Sequence, residues 1–167
     1  MILESVLPWE ARYMKGLREV VGNFVPSCKE PLDEVVNGNL SFLGLPISCP
    51  WHPPYDSKHF SFWHLISESS NSNRVEQDRV PDMRRCERIK WISYVINNAS
   101  NKQLVWCWEK DIKTSRGKSK HIHLYLHEER YMVILRRKSV RFEIVTTFTV
   151  ENHKRREEES KIWNDPR

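Results

Sequence analysis

Four segments in the second half of the chain predict strands, and in two of them, 122–126 and 140–150, apolar residues alternate with more polar ones. The segments cover residues 104–108, 122–126, 131–136 and 140–150. Alternation with a period of two is typical of strands that bury one face. Short connections join the segments, and residues 114–119 read as a tight turn. Neighbouring strands should therefore run in opposite directions, which predicts a four-stranded antiparallel sheet.

Helical patterns lie on both sides of these strands. Apolar residues recur near helical spacing over residues 3–22 and again over 82–98, where Pro81 and Asp82 suit a helix start. Gly and Pro are frequent between residues 38 and 55, which predicts a loop. The expected fold class is α+β: N-terminal helices, then the four-stranded sheet with a helix packed on one face, then a C-terminal helix from His153. Residues 1–57 should form a helical and loop appendage to a domain over 58–167.

Positive charge is concentrated in one part of the sequence. The formal net charge is +5, but residues 110–142 alone carry +7 and the rest carries −2. Such a segment favours a polyanionic partner, most simply RNA or DNA. The alternative is a solvated sheet edge whose lysines prevent aggregation. No apolar run approaches about 20 residues, and the start of the chain does not resemble a signal peptide, so a cytoplasmic protein without a membrane span is expected.

Metal and cofactor motifs are not evident. The four cysteines are isolated, at positions 28, 49, 86 and 107, and form no C-x-x-C pair. The phosphate-binding glycine motifs do not occur. A histidine stripe, His121, His123 and His127, could hold zinc, but RNA contact or plain exposure is favoured because a further ligand is not evident nearby. The expectation is that the chain uses no cofactor and no metal.

Three blocks resemble a known group of proteins. They are FWHLISE at residues 62–68, RVPDMRRCERIKWI at 79–92, and the segment 130–156 with its basic turn. Together they resemble small RNases and toxins of the barnase–EndoU–colicin–RelE (BECR) superfamily, over about residues 58–163. The resemblance implies a nuclease-type α+β domain over 58–167 and a toxin-like ribonuclease that cuts RNA without metal. An antitoxin or immunity protein is then an implied partner.

Cleavage of this kind needs a base for the ribose 2′-hydroxyl, an acid for the leaving 5′-oxygen, and cations around the phosphorane. It yields a 2′,3′-cyclic phosphate. The candidate catalytic residues are His64, Arg84, Arg88, Lys138, Thr146 and His153. The candidate nucleic-acid-binding residues are Arg116, Lys118, Lys120, His121, His123, Arg136, Arg137 and Arg141. Thr146 falls on the apolar face of its strand, so it is structural unless a β-bulge turns it over.

Two other functions stay open. The superfamily commonly has Ala-Tyr where this chain has Thr147 and Phe148, so an aromatic hydroxyl is missing, and the basic turn 136–138 is also altered. Both departures favour a non-catalytic RNA- or DNA-binding module that uses the same basic sheet face. The third reading is an interaction protein of a mobile element, whose first 57 residues dock a partner.

Overall fold

The structure is a computed structural model in which two compact units are described. One, here called the sheet unit, comprises residues 39–48 and 91–167. The described residues of the other unit are 65, 67–69, 79–82, 84, 85 and 88. The helix predicted over residues 3–22 and the candidate His64 lie outside the described residues. The predicted boundary at residue 57 stays a prediction.

The sheet unit is built on six strands, in the order β1-β2-β8-β7-β6-β5. The elements in chain order are β1 (Ser41–Phe42), β2 (Leu45–Ser48), α1 (Trp91–Asn97), β5 (Val105–Thr114), β6 (Gly117–Leu126), β7 (Tyr131–Arg137), β8 (Phe142–Thr149) and α2 (His153–Ile162). In the other unit, β3 (Ser67–Ser69) and β4 (Arg79–Pro81) form an antiparallel pair.

The predicted four-stranded antiparallel sheet is wrong. The sheet has six strands and is mixed, because β2 runs parallel to β8, with Ile47 opposite Phe142. Strands β1 and β2 come from the Gly- and Pro-rich stretch that predicts a loop. They form a hairpin because Leu43 and Gly44 both adopt positive φ, as the favoured two-residue hairpin turns require. Burial of Phe42, whose ring meets that of Phe142 edge-on at 5.3 Å, offsets the strain at Leu43.

A bulge in β8 changes the face on which its side chains lie. Ile134 pairs with Thr146, but the next residue of β7, Leu135, pairs with Ile144. Val145 is therefore the extra residue, and Thr146 lies on the opposite face from Ile144. Simple alternation along the sequence would put Thr146 and Ile144 on the same face. The sequence pattern does not reveal the single inserted residue that separates them.

The two helices cover opposite faces of the sheet. Helix α1 buries Ile92, Val95 and Ile96, and the ring of its first residue, Trp91, meets Tyr131 edge-on at 5.6 Å. Helix α2 lies on the other face, which carries Trp108, Tyr125, Met132 and Ile134. The prediction has N-terminal helices before the sheet. In the described residues of the sheet unit, one helix of 7 residues precedes strands β5 to β8. No helix of the described residues is long and apolar enough to cross a bilayer.

The helix predicted over residues 82–98 is shorter than its apolar pattern suggests. In the other unit, the Asp82 carboxylate accepts hydrogen bonds from the backbone N–H groups of Arg84 and Arg85, at 2.9 and 3.3 Å. This is the geometry of an N-cap. The chain turns at Arg88, and α1 begins only at Trp91. In α1 the helical period reflects the burial of Ile92, Val95 and Ile96.

The last residues of the chain cover the outer edge of β5. The backbone N–H of Glu109 donates to the carbonyl of Asn164, at 2.8 Å. The guanidinium of Arg167 donates to the carbonyls of Ala99 and Val105 and also pairs with Asp165. An edge strand offers unpaired backbone groups to other chains, and this segment satisfies part of that edge.

Candidate nucleic-acid interface

The hairpin of β5 and β6 extends beyond the rest of the sheet. Each of its strands has 10 residues, and their pairing continues to Thr114 opposite Gly117. The pairing of β6 with β7 ends at His121 opposite Arg136. Residues 117–120 of β6 therefore pair with β5 alone. At the usual rise per residue this overhang is about 13 Å long. We call residues 111–120 the hairpin tip.

A notch lies between the hairpin tip and the β7–β8 turn. Its volume is about 770 Å³. Six cationic side chains and four hydroxyl side chains line it, and there is no carboxylate among these residues. The cations are Arg116, Lys118, Lys120, Arg136, Arg137 and Lys138, and the hydroxyls are Thr114, Ser115, Ser119 and Ser139. We call this the cationic notch. It offers charge and hydrogen-bond donors to an anion.

Two carboxylates that do not line the notch, those of Glu143 and Glu109, form ion pairs with some of its cations. The buried Glu143 lies 3.0 Å from Arg141, 3.9 Å from Arg136 and 4.0 Å from Lys138. One anion cannot neutralise three cations, so a net positive charge remains around it. The effect of Glu143 is to fix the direction of long side chains that would otherwise lose conformational entropy on binding.

Glu109 performs the same role on the other side of the notch. It lies 2.9 Å from Lys120 and 3.4 Å from Arg137, so it joins the hairpin tip to β7. Hydrogen bonding to Glu109 raises the pKa of Lys120, which therefore stays charged at all physiological pH values. Asp111 also approaches Lys120, at 3.4 Å.

Three cations at the hairpin tip have no such partner. Lys113, Arg116 and Lys118 are exposed and make no ion pair with any described residue. Lys113 and Lys118 are moreover directly opposite each other across the two strands. Like charges at paired positions destabilise a hairpin. This placement costs stability and gains no ion pair within the described residues.

The turn of the hairpin is closed by its own side chains. The Thr114 hydroxyl donates to the carbonyl of Gly117 at 2.9 Å and accepts from the backbone N–H of Arg116 at 3.3 Å. Gly117 has a φ of 115°, which an L-residue adopts only with strain. These features fix the two-residue turn at Ser115 and Arg116, and with it the opposition of Lys113 and Lys118.

The candidate nucleic-acid-binding residues differ in their position relative to the notch. Five of them line the notch together with Lys138, and Arg141 is held next to it by Glu143. His121 lies at the last β6–β7 pair, where burial and the charge of Arg136 lower its pKa. His123 is only 5% exposed, stacks on Trp108 at 5.1 Å and does not line the notch. Burial lowers its pKa to about 4.

The candidate catalytic residues of the sheet unit do not meet at one point. Lys138 lines the notch, whereas His153 shares a hydrogen bond of 2.8 Å with the hydroxyl of Tyr125. Tyr125 is four residues along β6 from His121, which is about 13 Å at the usual rise. Thr146 lies beside Ile134, on the sheet face that α2 covers. Arg84 and Arg88 belong to the other unit, where the guanidinium of Arg88 donates to the carbonyl of Arg84.

Two parts of this arrangement are absent from the sequence predictions. They are the hydroxyls that line the notch and the pairing of Lys113 with Lys118. The second was accessible, because a two-residue turn at residues 115 and 116 places 113 opposite 118. The Tyr125–His153 bond joins residues 28 apart and leaves no sequence signal. No three His, Cys, Asp or Glu residues of the described part come together as a metal site.

Comparisons with models of protein families, with curated proteins and with solved structures gave no match to this chain. The resemblance to the BECR superfamily therefore stays a prediction from the three sequence blocks.

Proposed function

We propose that this protein binds nucleic acid through the cationic notch. The observation that carries this proposal is the composition of the notch, with six cations, four hydroxyls and no carboxylate. Phosphate oxygens are the ligands that such a lining suits, because guanidinium groups bind them in pairs and hydroxyls add single hydrogen bonds. The uncompensated Lys113 and Lys118 extend the same charge along the hairpin tip.

Binding of this kind has a defined electrostatic signature. A protein that neutralises several phosphates releases the counterions condensed on them, so its affinity falls steeply with salt. If three to five of the cations contact phosphates of duplex DNA, the logarithm of the association constant should fall with the logarithm of salt concentration with a slope of about −2.7 to −4.5.

Replacement of Lys138 by glutamine tests the proposal. We expect the salt slope to become shallower by about 1 and the affinity to fall about equally for all sequences, because one phosphate contact is lost. The measurement is fluorescence anisotropy of labelled RNA and DNA oligonucleotides between 50 and 200 mM salt. Lys154→Gln is the matched control, since Lys154 is exposed on α2, beside His153 and away from the notch. A slope near zero, or equal losses in the two variants, contradicts the proposal.

Our second proposal is metal-independent cleavage of RNA. It is favoured by the lowered pKa of His121 and by the position of this residue opposite Arg136. The lowered pKa of His121 leaves more of its imidazole neutral at pH 7, as a base for the 2′-hydroxyl requires. When RNA is incubated with the protein in EDTA, cleavage would give fragments that end in 2′,3′-cyclic phosphates, whereas binding alone leaves the RNA intact. A toxin-like role, an antitoxin or immunity partner and a cytoplasmic location belong to this second proposal.

A further inference from the structure

We propose that the hairpin tip enters the major groove of B-form duplex DNA. This inference rests on the proposed nucleic-acid binding and specifies its partner. The hairpin tip is a two-stranded ribbon without a covering layer, because every residue from 113 to 118 is exposed. Its overhang of about 13 Å exceeds the depth of the major groove, which is about 8.5 Å. The groove is about 12 Å wide and admits a two-stranded ribbon.

The side chains of the hairpin tip are suited to that position. Arg116 stands at the end of the ribbon, where a guanidinium would reach the base edges and bond guanine O6 and N7. Lys113 and Lys118 lie one pair behind the turn, at the height of the phosphates that border the groove. The negative potential between those phosphates would remove the repulsion between the two ammonium groups.

The β7–β8 turn supplies a second contact on one side of the ribbon. Arg137 and Lys138 line the wall of the notch that faces the hairpin tip. With the ribbon in the groove, this wall meets the phosphate backbone of one strand. The notch then receives a section of backbone, and the ribbon receives the base edges.

Other nucleic acids fit these features less well. The major groove of A-form RNA is deep and too narrow for side chains to read. Proteins that bind single strands generally stack bases on exposed aromatic rings. No aromatic residue lines the notch, and the rings of Trp108 and Tyr125 are fully buried. The cationic notch itself therefore lacks a surface on which bases could stack.

The test compares nucleic acids of one mixed sequence and equal length, about 20 base pairs. Fluorescence anisotropy with the full chain at 150 mM salt should show duplex DNA bound at least ten-fold more tightly than duplex RNA or single-stranded RNA. Arg116→Ala should weaken binding to duplex DNA roughly ten-fold, whereas Lys154→Ala should leave it within two-fold. Equal affinity for all three nucleic acids overturns the inference but leaves the proposed function standing. Failure to bind any of them overturns both.

A chemical block of the major groove gives a second and independent readout. Duplex DNA that carries glucosylated 5-hydroxymethylcytosine has its major groove filled, while its phosphates are unchanged. We expect this duplex to bind at least ten-fold more weakly than the unmodified one. Netropsin, which occupies the minor groove, should leave the affinity within two-fold. Equal binding of the blocked and unblocked duplexes, or displacement by netropsin, contradicts insertion into the major groove.

Discussion

Replacement of Lys118 by glutamate should weaken nucleic-acid binding at least ten-fold and at the same time stabilise the fold. The variant turns a like-charge pair with Lys113 into an opposite-charge pair at a directly paired position. A favourable cross-strand pair of this kind contributes about 0.5 kcal/mol relative to a neutral one. The same change places a carboxylate in the lining of the notch, where it repels phosphate.

The two effects are measured separately. Urea unfolding followed by tryptophan fluorescence gives the free energy of unfolding, and anisotropy with labelled duplex DNA and RNA gives the affinity. Lys154→Glu is the control, because it makes the same change in net charge on α2. We expect the control to lose less than two-fold in affinity. If Lys118→Glu destabilises the protein, or if its affinity equals that of the control, the hairpin tip is not a binding element that costs stability.

Acid should destabilise the sheet unit well above the pH at which its carboxylates titrate. His123 is neutral in the folded protein because burial lowers its pKa to about 4, from 6.5. The nearby Glu159 opposes this shift, and Arg156 and Lys110 support it. In the unfolded chain the imidazole takes up a proton near pH 6.5, so acid favours the unfolded state. The loss of stability begins below about pH 6.5, reaches about 2 kcal/mol at pH 5 and about 3 kcal/mol at pH 4, and levels off below that.

The phenylalanine variant isolates this contribution. His123→Phe keeps a ring that can stack on Trp108 but has no group that titrates. The difference in unfolding free energy between the two proteins, measured from pH 7.5 to pH 4, should change by about 3 kcal/mol in the direction that favours the variant in acid. Carboxylates that do not interact with His123 contribute equally to both proteins and cancel in the difference. A difference that does not depend on pH would mean that folding does not lower the pKa of His123.

Part of the fold was accessible from local patterns. The four segments predicted as strands overlap β5 to β8, although β5 and β6 are each about twice as long as predicted, and each of these strands packs at least one face against buried side chains. The addition of β1 and β2 to the sheet could not be predicted from the sequence. Gly44 and Pro46 indicate a loop, and only the burial of Phe42 and Ile47 against the sheet makes this stretch a hairpin. Parallel pairing with a strand almost 100 residues away leaves no periodic signal.

The candidate site, like the fold, could be predicted from the sequence only in part. The density of cations in residues 110–142 predicts a polyanionic partner from the sequence alone, and this partner stays a prediction. The shape of the site depends on register, which composition does not specify. The bulge at Val145 moves Thr146 to the other face, and the early end of β7 creates the notch. Glu109 and Glu143 hold cations from separate strands, and their role is visible only once those strands are side by side.

The most direct test of the central claim is a map of where nucleic acid contacts the protein. Nitrogen-15-labelled full-length protein would be titrated with a short duplex DNA, and with single-stranded RNA in parallel, and followed by amide chemical shifts. Binding through the cationic notch predicts the largest shifts at residues 113–120 and 136–139, with little change in α2. Shifts concentrated on α2, or none at saturating concentrations of either nucleic acid, would contradict it.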